Sequence, residues 1–395
     1  MVLILSSENV VDFLKERKIC SPDFQPAVPA IRTEGTNFNL IVKSIDPPHF
    51  LVKQNRLKGQ GNTSGSLSVE WVVQKLVNNF SDLAAVQPFI SQVVFLDWSN
   101  QILVTIFYEN YLPLNRFYAT KKCFEPKIAS VLGMNIARVH SATYQQQQQQ
   151  EFLERYLSLS DEDKRPNFIK RLQNLNPSLF ARVCPDGLDF YRLYQRFPSL
   201  DRAVSELYKQ IQPSCLIHND LTIDNFIIDT QIDFEADSVE IKPEQVVIID
   251  WERIDWGDPA VDLGMVVAEY IGGIWLGSLV SDRNLDINLM LSMAAVPLEK
   301  ITPSLRALLQ GYLTQFPEII DQRPDFILRV VQFAGIGILD RLSYYVEHHY
   351  PFHNNSLFKL QVAKNLLCYP QQQIETIFGA NEAQLKANCY QTAPI

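Results

Sequence analysis

The sequence predicts an α+β chain: a small β-rich part to roughly Phe107, followed by a larger and mainly helical part. Three observations lead there. Between Ile31 and Phe107, runs of alternating polar and apolar residues are separated by proline and by an Asp-Trp-Ser-Asn turn, the pattern of half-buried strands. After Pro126 the period changes, and Ile128, Val131, Leu132, Ile136 and Val139 recur on one helical face, as do Ile327, Val330, Val331, Ala334 and Ile338 further on. Finally, two short apolar runs beginning near Cys215 and Val246 read as buried strands that present polar side chains where they stop. The expected division is 1–107 and 108–395.

Composition bounds the class. With 395 residues, 47% of them hydrophobic and 20% charged, the chain can bury a large core and is neither disordered nor fibrous. A net charge of −9 argues against nucleic acid or an anionic membrane surface as a general partner. The six cysteines, Cys20, Cys123, Cys184, Cys215, Cys368 and Cys389, are scattered without C-x-x-C or Cys-His spacing, so they read as reduced thiols. No basic, apolar leader opens the sequence, and a cytoplasmic location is expected. The apolar run Leu263–Val280 contains Glu269 and several glycines, and is expected to be a buried helix, not a membrane span.

In chain order, Val10–Arg17 is a short amphipathic helix candidate. Ile31–Lys43 and Pro48–Gln54 read as a strand pair, with a turn around Gly35. A helix starting after Ser68 carries Val69, Val72, Val73, Leu76 and Val77 on one stripe, with Glu70 in its first turn. Val93–Phe107 reads as a hairpin, and Tyr108–Pro113 as the connection to the larger part. The glutamine run 145–150 is expected to be a solvated helix extension or loop, and 151–212 a mostly helical insertion. Thr230–Gln245 reads as an acidic surface excursion with a short strand near Val239–Ile241. The histidines of Glu347–His353 are expected on the surface, since Pro351 breaks the helical register a metal cluster would need.

The chemistry is concentrated between Ser214 and Gly264. His218, Asp220 and Asn225 have the spacing H-x-D-x-x-x-x-N, Asp250 follows Val-Val-Ile-Ile in an Asp-Trp-Glu motif, and Gly257-Asp-Pro-Ala-Val-Asp-Leu263 closes the stretch. A lone Asp or Asn after a strand is usually a turn former or helix cap. That reading is kept for Asp224, Asp255 and Asp258. The joint pattern of the others calls for a functional one.

This pattern resembles the catalytic core of the aminoglycoside phosphotransferase and choline kinase-like family, which shares the protein-kinase fold. The resemblance implies a bilobal protein-kinase-like fold with a small β-rich nucleotide-binding lobe. It also implies ATP and Mg²⁺ as cofactors, and transfer of phosphate to a hydroxyl of a small molecule. Carried over residue by residue, Asp220 becomes the catalytic base and Asn225 and Asp250 the metal ligands. His218 shapes the loop, and Asp262 accepts hydrogen bonds from its backbone. Lys53 becomes the phosphate-gripping lysine with Glu70 as partner, the Gly35 turn lies over the phosphates, and backbone groups around Tyr108 and Asn110 read the nucleobase. Asn219 and Thr222 depart from the family's usual residues. The family's acceptors extend to amine-bearing ones, and Trp251, Trp256, Tyr270 and Trp275 offer themselves as a cation–π wall for a cationic acceptor. Two other readings stay open: a kinase acting on a peptide side chain, and a nucleotide-binding regulator without turnover. Survival of the base and both metal ligands speaks against the second.

Overall fold

A computed structural model describes residues 3–33, 37–55, 67–157, 183, 185–234, 240–280, 287–348, 352 and 354–387. Five strands, β1 (Ile31–Thr33), β2 (Phe38–Val42), β3 (His49–Gln54), β4 (Val93–Asp97) and β5 (Ile102–Phe107), form an antiparallel sheet in the order β1-β2-β3-β5-β4. The stretch Ile31–Lys43, read with a turn around Gly35, holds two strands, folded back so that Ile31 lies opposite Ile41. Residues 34–36, on which the expected Gly35 turn falls, lie outside the described residues.

Alternation along the strands gives the sheet two different faces. Leu40, Val42, Phe50, Val52, Ile102 and Val104 form one face and pack against Leu5, Val10, Phe13 and Leu14. The helix Val10–Glu16 is seven residues long, too short to hold itself in water, so burial of these side chains keeps it in place. Gln54 fastens the segment before it: its amide oxygen accepts the Leu5 N–H at 2.9 Å and its nitrogen donates to the Leu3 carbonyl at 2.7 Å. Lys53 alternates to the opposite face of β3, opposite Leu103 of β5.

The helix Leu67–Asn79 lies between this sheet and the rest of the chain. Leu67 packs on Val93, Leu96 and Leu103 of the sheet, while Val69, Val72, Val73, Leu76 and Val77 join the large core. Gln74 locks the arrangement by accepting the Val93 N–H at 3.0 Å.

Beyond Phe107 come β6 (Tyr111–Pro113), β7 (Cys215–Ile217), β8 (Phe226–Asp229), β9 (Val246–Ile248) and β10 (Asp255–Gly257). They form a three-stranded sheet, β6-β8-β9, and a separate β7-β10 pair. Helices supply the remaining core. Pro126–Thr143 and Leu298–Gln315 approach so closely that Gly133 lies against the Leu308 carbonyl and Gly311 against the Ser130 carbonyl. A Cβ at either glycine would collide with backbone that has no room to give. Ala260–Ala268 packs along Phe326–Glu347, and Tyr270 and Ile271 just beyond it are buried.

Four local expectations need amending. The glutamine run enters the helix Gln147–Leu157, and Gln149 is buried on the face it shares with Leu153, so the run is not wholly solvated. Ile241 is buried but belongs to no strand, and 235–239 lie outside the described residues, as do 158–182 and Cys184 of the insertion, Cys389, His349 and His353. Trp251, Trp256 and Tyr270 are core side chains with 2%, 6% and 0% exposure, so they cannot line an open wall; the apolar surface each buries outweighs any cation contact. Asp258 does begin a helix, accepting the Ala260 N–H at 3.1 Å, but it also binds the buried Arg329 at 2.6 Å and Arg323 at 3.3 Å.

Candidate active site

β3 and the helix Leu67–Asn79 bring one cation and one carboxylate together. Lys53 Nζ lies 2.6 Å from Glu70 Oε1, whose side chain is 2% exposed. The same ammonium lies 3.1 Å from Asp250 Oδ1, contributed by the turn after β9. Burial lowers the lysine's proton affinity, but the carboxylates of Glu70 and Asp250 outweigh it and hold Lys53 protonated well above its ordinary range. Burial likewise raises Asp250, and the ammonium beside it wins, keeping that carboxyl below its ordinary value. Asp250 stays partly open, with 39% of its side chain exposed. It adopts a φ of +67°, the left-handed conformation that Asp and Asn tolerate better than most residues.

The loop after β7 carries the other half. Asp262, at the start of the helix Ala260–Ala268, accepts the backbone N–H of His218 at 2.7 Å and of Asn219 at 2.9 Å. His140, in the last turn of the helix Pro126–Thr143, is buried behind it, with Nε2 3.2 Å from Asp262 and Nδ1 2.9 Å from the Tyr312 hydroxyl. Burial raises Asp262, but the His140 contacts and the two backbone donors prevail and leave it ionised below its usual value. Asn219 has φ +64°, which explains why a residue tolerant of that conformation is needed there. His218 Nε2 donates to the Ile249 carbonyl at 2.9 Å, tying the loop to the residue before Asp250.

Asp220 and Asn225 complete the constellation. Asn225 donates its side-chain N–H to the Asp220 carbonyl at 2.8 Å, and its own carbonyl accepts the Ile249 N–H at 2.9 Å. Its amide nitrogen is thereby engaged and its amide oxygen is left to act as a ligand. Asp220 lies 3.5 Å from Arg253 Nε. Burial raises the Asp220 carboxyl, against the pull of Arg253, His218 and Arg341. Arg253 and His218 also act on Asp250, which places both carboxylates in one electrostatic environment. Tyr108 and Asn110 lie in the connection, but their carbonyls are occupied. Tyr108 accepts the Tyr111 N–H at 3.3 Å, and Asn110 accepts both the N–H and the hydroxyl of Thr230, at 2.8 and 2.7 Å.

Two neighbours carry chemistry that the motif alone leaves unassigned. Glu252 is pushed up to about 7 by burial and by the Asp250 and Glu70 carboxylates. Arg253 neutralises Asp220. Both stand directly after the Asp-Trp pair, so position in the motif was the available signal. No such signal exists for a cavity of about 600 Å³ beside the loop, lined by Ile223, Asp224, Glu269, Arg341 and Lys359 among others. It is assembled from segments far apart in sequence.

The small antiparallel sheet, its adjoining helix and the helical remainder form a protein-kinase-like fold, with the loop and turn at its cleft. Residues 125–288 match the model of the phosphotransferase enzyme family. That match spans the loop, Asp250 and Asp262, and supports the resemblance read from the motifs. Among solved structures, the chain is similar to an ethanolamine kinase from Plasmodium vivax, at 16% identity, covering 92% of this chain and 95% of that one, with a TM-score of 0.51. It is also similar to a choline/ethanolamine kinase family protein from Mesorhizobium loti (14% identity, 96% and 99% covered, TM-score 0.49). An ADP-bound aminoglycoside phosphotransferase has 13% identity, 95% and 99% coverage and a TM-score of 0.44. No curated protein matches the chain.

Proposed function

We propose that this protein transfers the terminal phosphoryl group of ATP to a hydroxyl of a small molecule, assisted by Mg²⁺. The observation that carries the proposal is the position of Lys53, paired with Glu70 and reaching Asp250 at 3.1 Å. It is combined with a loop whose backbone is held by Asp262 so that Asp220 and Asn225 share the cleft. Phosphoryl transfer asks the protein mainly for positioning and charge stabilisation, and this arrangement supplies both.

In this reading Lys53 grips the phosphates, and Glu70 keeps a long, otherwise mobile side chain in place. Asp250 and the amide oxygen of Asn225 would hold the metal. They are the hard oxygen donors that Mg²⁺ prefers, and Asp250 is kept anionic by Lys53. Among the described residues no group of three or more His, Cys, Asp or Glu side chains is gathered to hold an ion. Such a donor set suits a cation shared between one or two protein ligands and substrate phosphates. When bound, the metal would neutralise charge on the phosphates. Asp220 orients the acceptor hydroxyl and takes its proton. Its raised proton affinity suits that role, and Arg253 limits the rise. The backbone of Phe107–Glu109, in which the Tyr108 carbonyl is already engaged by the Tyr111 N–H, would meet the nucleobase. An amine on the acceptor has lost its aromatic support, since three of the four candidate rings are buried.

Acceptor-dependent ADP release across amino alcohols, aminoglycosides, sugars, hydroxy acids and a serine peptide tests the proposal. Turnover with one small-molecule class is expected, together with a loss of roughly 10²–10⁴-fold in Asp220→Asn. Turnover on the peptide alone, or an Asp220→Asn variant as fast as the parent, would overturn it.

A further inference from the structure

The cavity beside the loop differs from the protein as a whole in charge. The chain carries a net −9, yet among the described residues this cavity is lined by four cationic side chains, Lys122, Lys300, Arg341 and Lys359, against two carboxylates, Asp224 and Glu269. Glu269 is already committed: its Oε1 lies 2.9 Å from Arg341 Nε. None of the three lysines has a carboxylate within ion-pair distance among the described residues. Lys122 and Lys300 are exposed at the rim, whereas Lys359 is half-buried.

The cavity is placed to hold an acceptor. Ile223 and Asp224 in its wall follow Asp220 by three and four residues, within the same loop. Arg341 in the opposite wall acts electrostatically on both Asp220 and Asp224. Its volume of about 600 Å³ is that of a small-molecule site. We propose, building on the kinase reading, that the acceptor held here carries an anionic group, a carboxylate or a phosphate, bound between Lys359 and Arg341, with its hydroxyl towards Asp220.

Repulsion counts here as much as attraction. A cationic amine entering this cavity would meet four like charges, and of the two carboxylates in the lining Glu269 is already bound to Arg341. An anion would instead find a guanidinium and an ammonium whose surroundings are partly desolvated. Burial and the neighbouring Arg341 disfavour the charged form of Lys359, with Glu269 acting against them. A ligand's negative charge relieves that cost, a gain available only to an anion. The two exposed lysines at the rim would draw an anion towards the mouth.

One carbon skeleton with four charges provides the test. Glycerol 3-phosphate, glycerate, glycerol and 3-amino-1,2-propanediol are titrated calorimetrically into the full chain, in the presence of Mg²⁺ and a non-hydrolysable ATP analogue. At least one of the two anions is expected to bind about tenfold or more tightly than glycerol or the amine, and Lys359→Gln to remove most of that preference. A preference for phosphate over carboxylate, or the reverse, identifies which anion is used. Equal or tighter binding of the amine, a preference that survives Lys359→Gln, or no binding by any of the four would overturn the proposal. Failure of the kinase reading shows separately, as absence of Mg²⁺-dependent ATP binding to the parent protein before any acceptor is added.

Discussion

The two ends of the cleft use charge in opposite ways. At the end proposed for the phosphates Lys53 faces three carboxylates, Glu70, Asp250 and Glu252, and is engaged by two of them, with Arg253 acting on Asp250 and Glu252 from the side of Asp220. At the other end cations outnumber carboxylates and three lysines are left without an ion pair among the described residues. The surplus of carboxylate suits added metal ions, and the surplus of cation suits an added anion. Under the proposals above, each end would be completed by a charge that the protein does not itself carry. Both rest on one scaffold, the helices that hold Asp262 and Asp258.

That scaffold gives the largest expected effect. Asp258 and Arg329 are each 1% exposed and 2.6 Å apart. Asp258→Ala leaves a buried guanidinium without its main partner and should cost about 3–5 kcal/mol in urea unfolding. Both ends of the cleft should fail together as the fold loosens. A stable variant in which only one end is damaged would break the picture of a common support.

Next in size is Lys53→Met, which removes the cation paired with Glu70 and Asp250. Turnover should fall about 10²–10³-fold, the range for loss of a single preorganised electrostatic contact. Steady-state kinetics would check this, and an unchanged kcat would remove Lys53 from the transfer step. Because Glu70 acts through Lys53, the double variant Lys53→Met/Glu70→Gln should lose less than the two single losses combined, with a coupling of about 0.5–3 kcal/mol. Additive losses would make Glu70 an independent structural residue. At the opposite end, Arg341→Gln should raise the acceptor KM about tenfold with kcat largely retained, so the ends separate kinetically. A fall in kcat with KM unchanged would place Arg341 in the chemistry instead.

The smallest expected effect is one of pH. Asp262 is held below its ordinary value in the folded protein. The stability it contributes is therefore present above the unfolded carboxyl range, about pH 4, and lost as pH falls through the depressed folded value. Asp262→Asn should flatten the fall in urea midpoint below about pH 4 relative to the parent. A parallel acid limb in both proteins would mean that Asp262 is not ionised behind the loop.

The same division explains what could be read from the sequence. Asp220, Asn225, Asp250 and Asp262 lie within one short stretch whose spacing carries their relation, whereas the pairing of Lys53 with Glu70 came from the order strand, turn, helix and from the family resemblance, not from spacing. The hairpin Val93–Phe107 was equally plain, since its turn residues stand between two alternating runs. Asp258 and Arg329 are 71 residues apart, so neither announces the other. The aromatic wall was misplaced for a related reason: Trp and Tyr near a motif look alike whether they line a cleft or fill a core, and burial decided for the core at Trp251, Trp256 and Tyr270. The charge of the acceptor end could not be read either, since its lining comes from segments between Lys122 and Lys359 that only folding brings together.

Asp250 is proposed to meet a metal-bound nucleotide beside Lys53, and calorimetric titration of ATP with and without Mg²⁺ tests this most directly. The parent protein should bind ATP more tightly with Mg²⁺ than without. Asp250→Ala, which removes a ligand and no core volume, should keep its far-UV circular dichroism and lose that dependence. An Asp250→Ala variant that stays folded and retains the parent's Mg²⁺-dependent affinity would contradict the account.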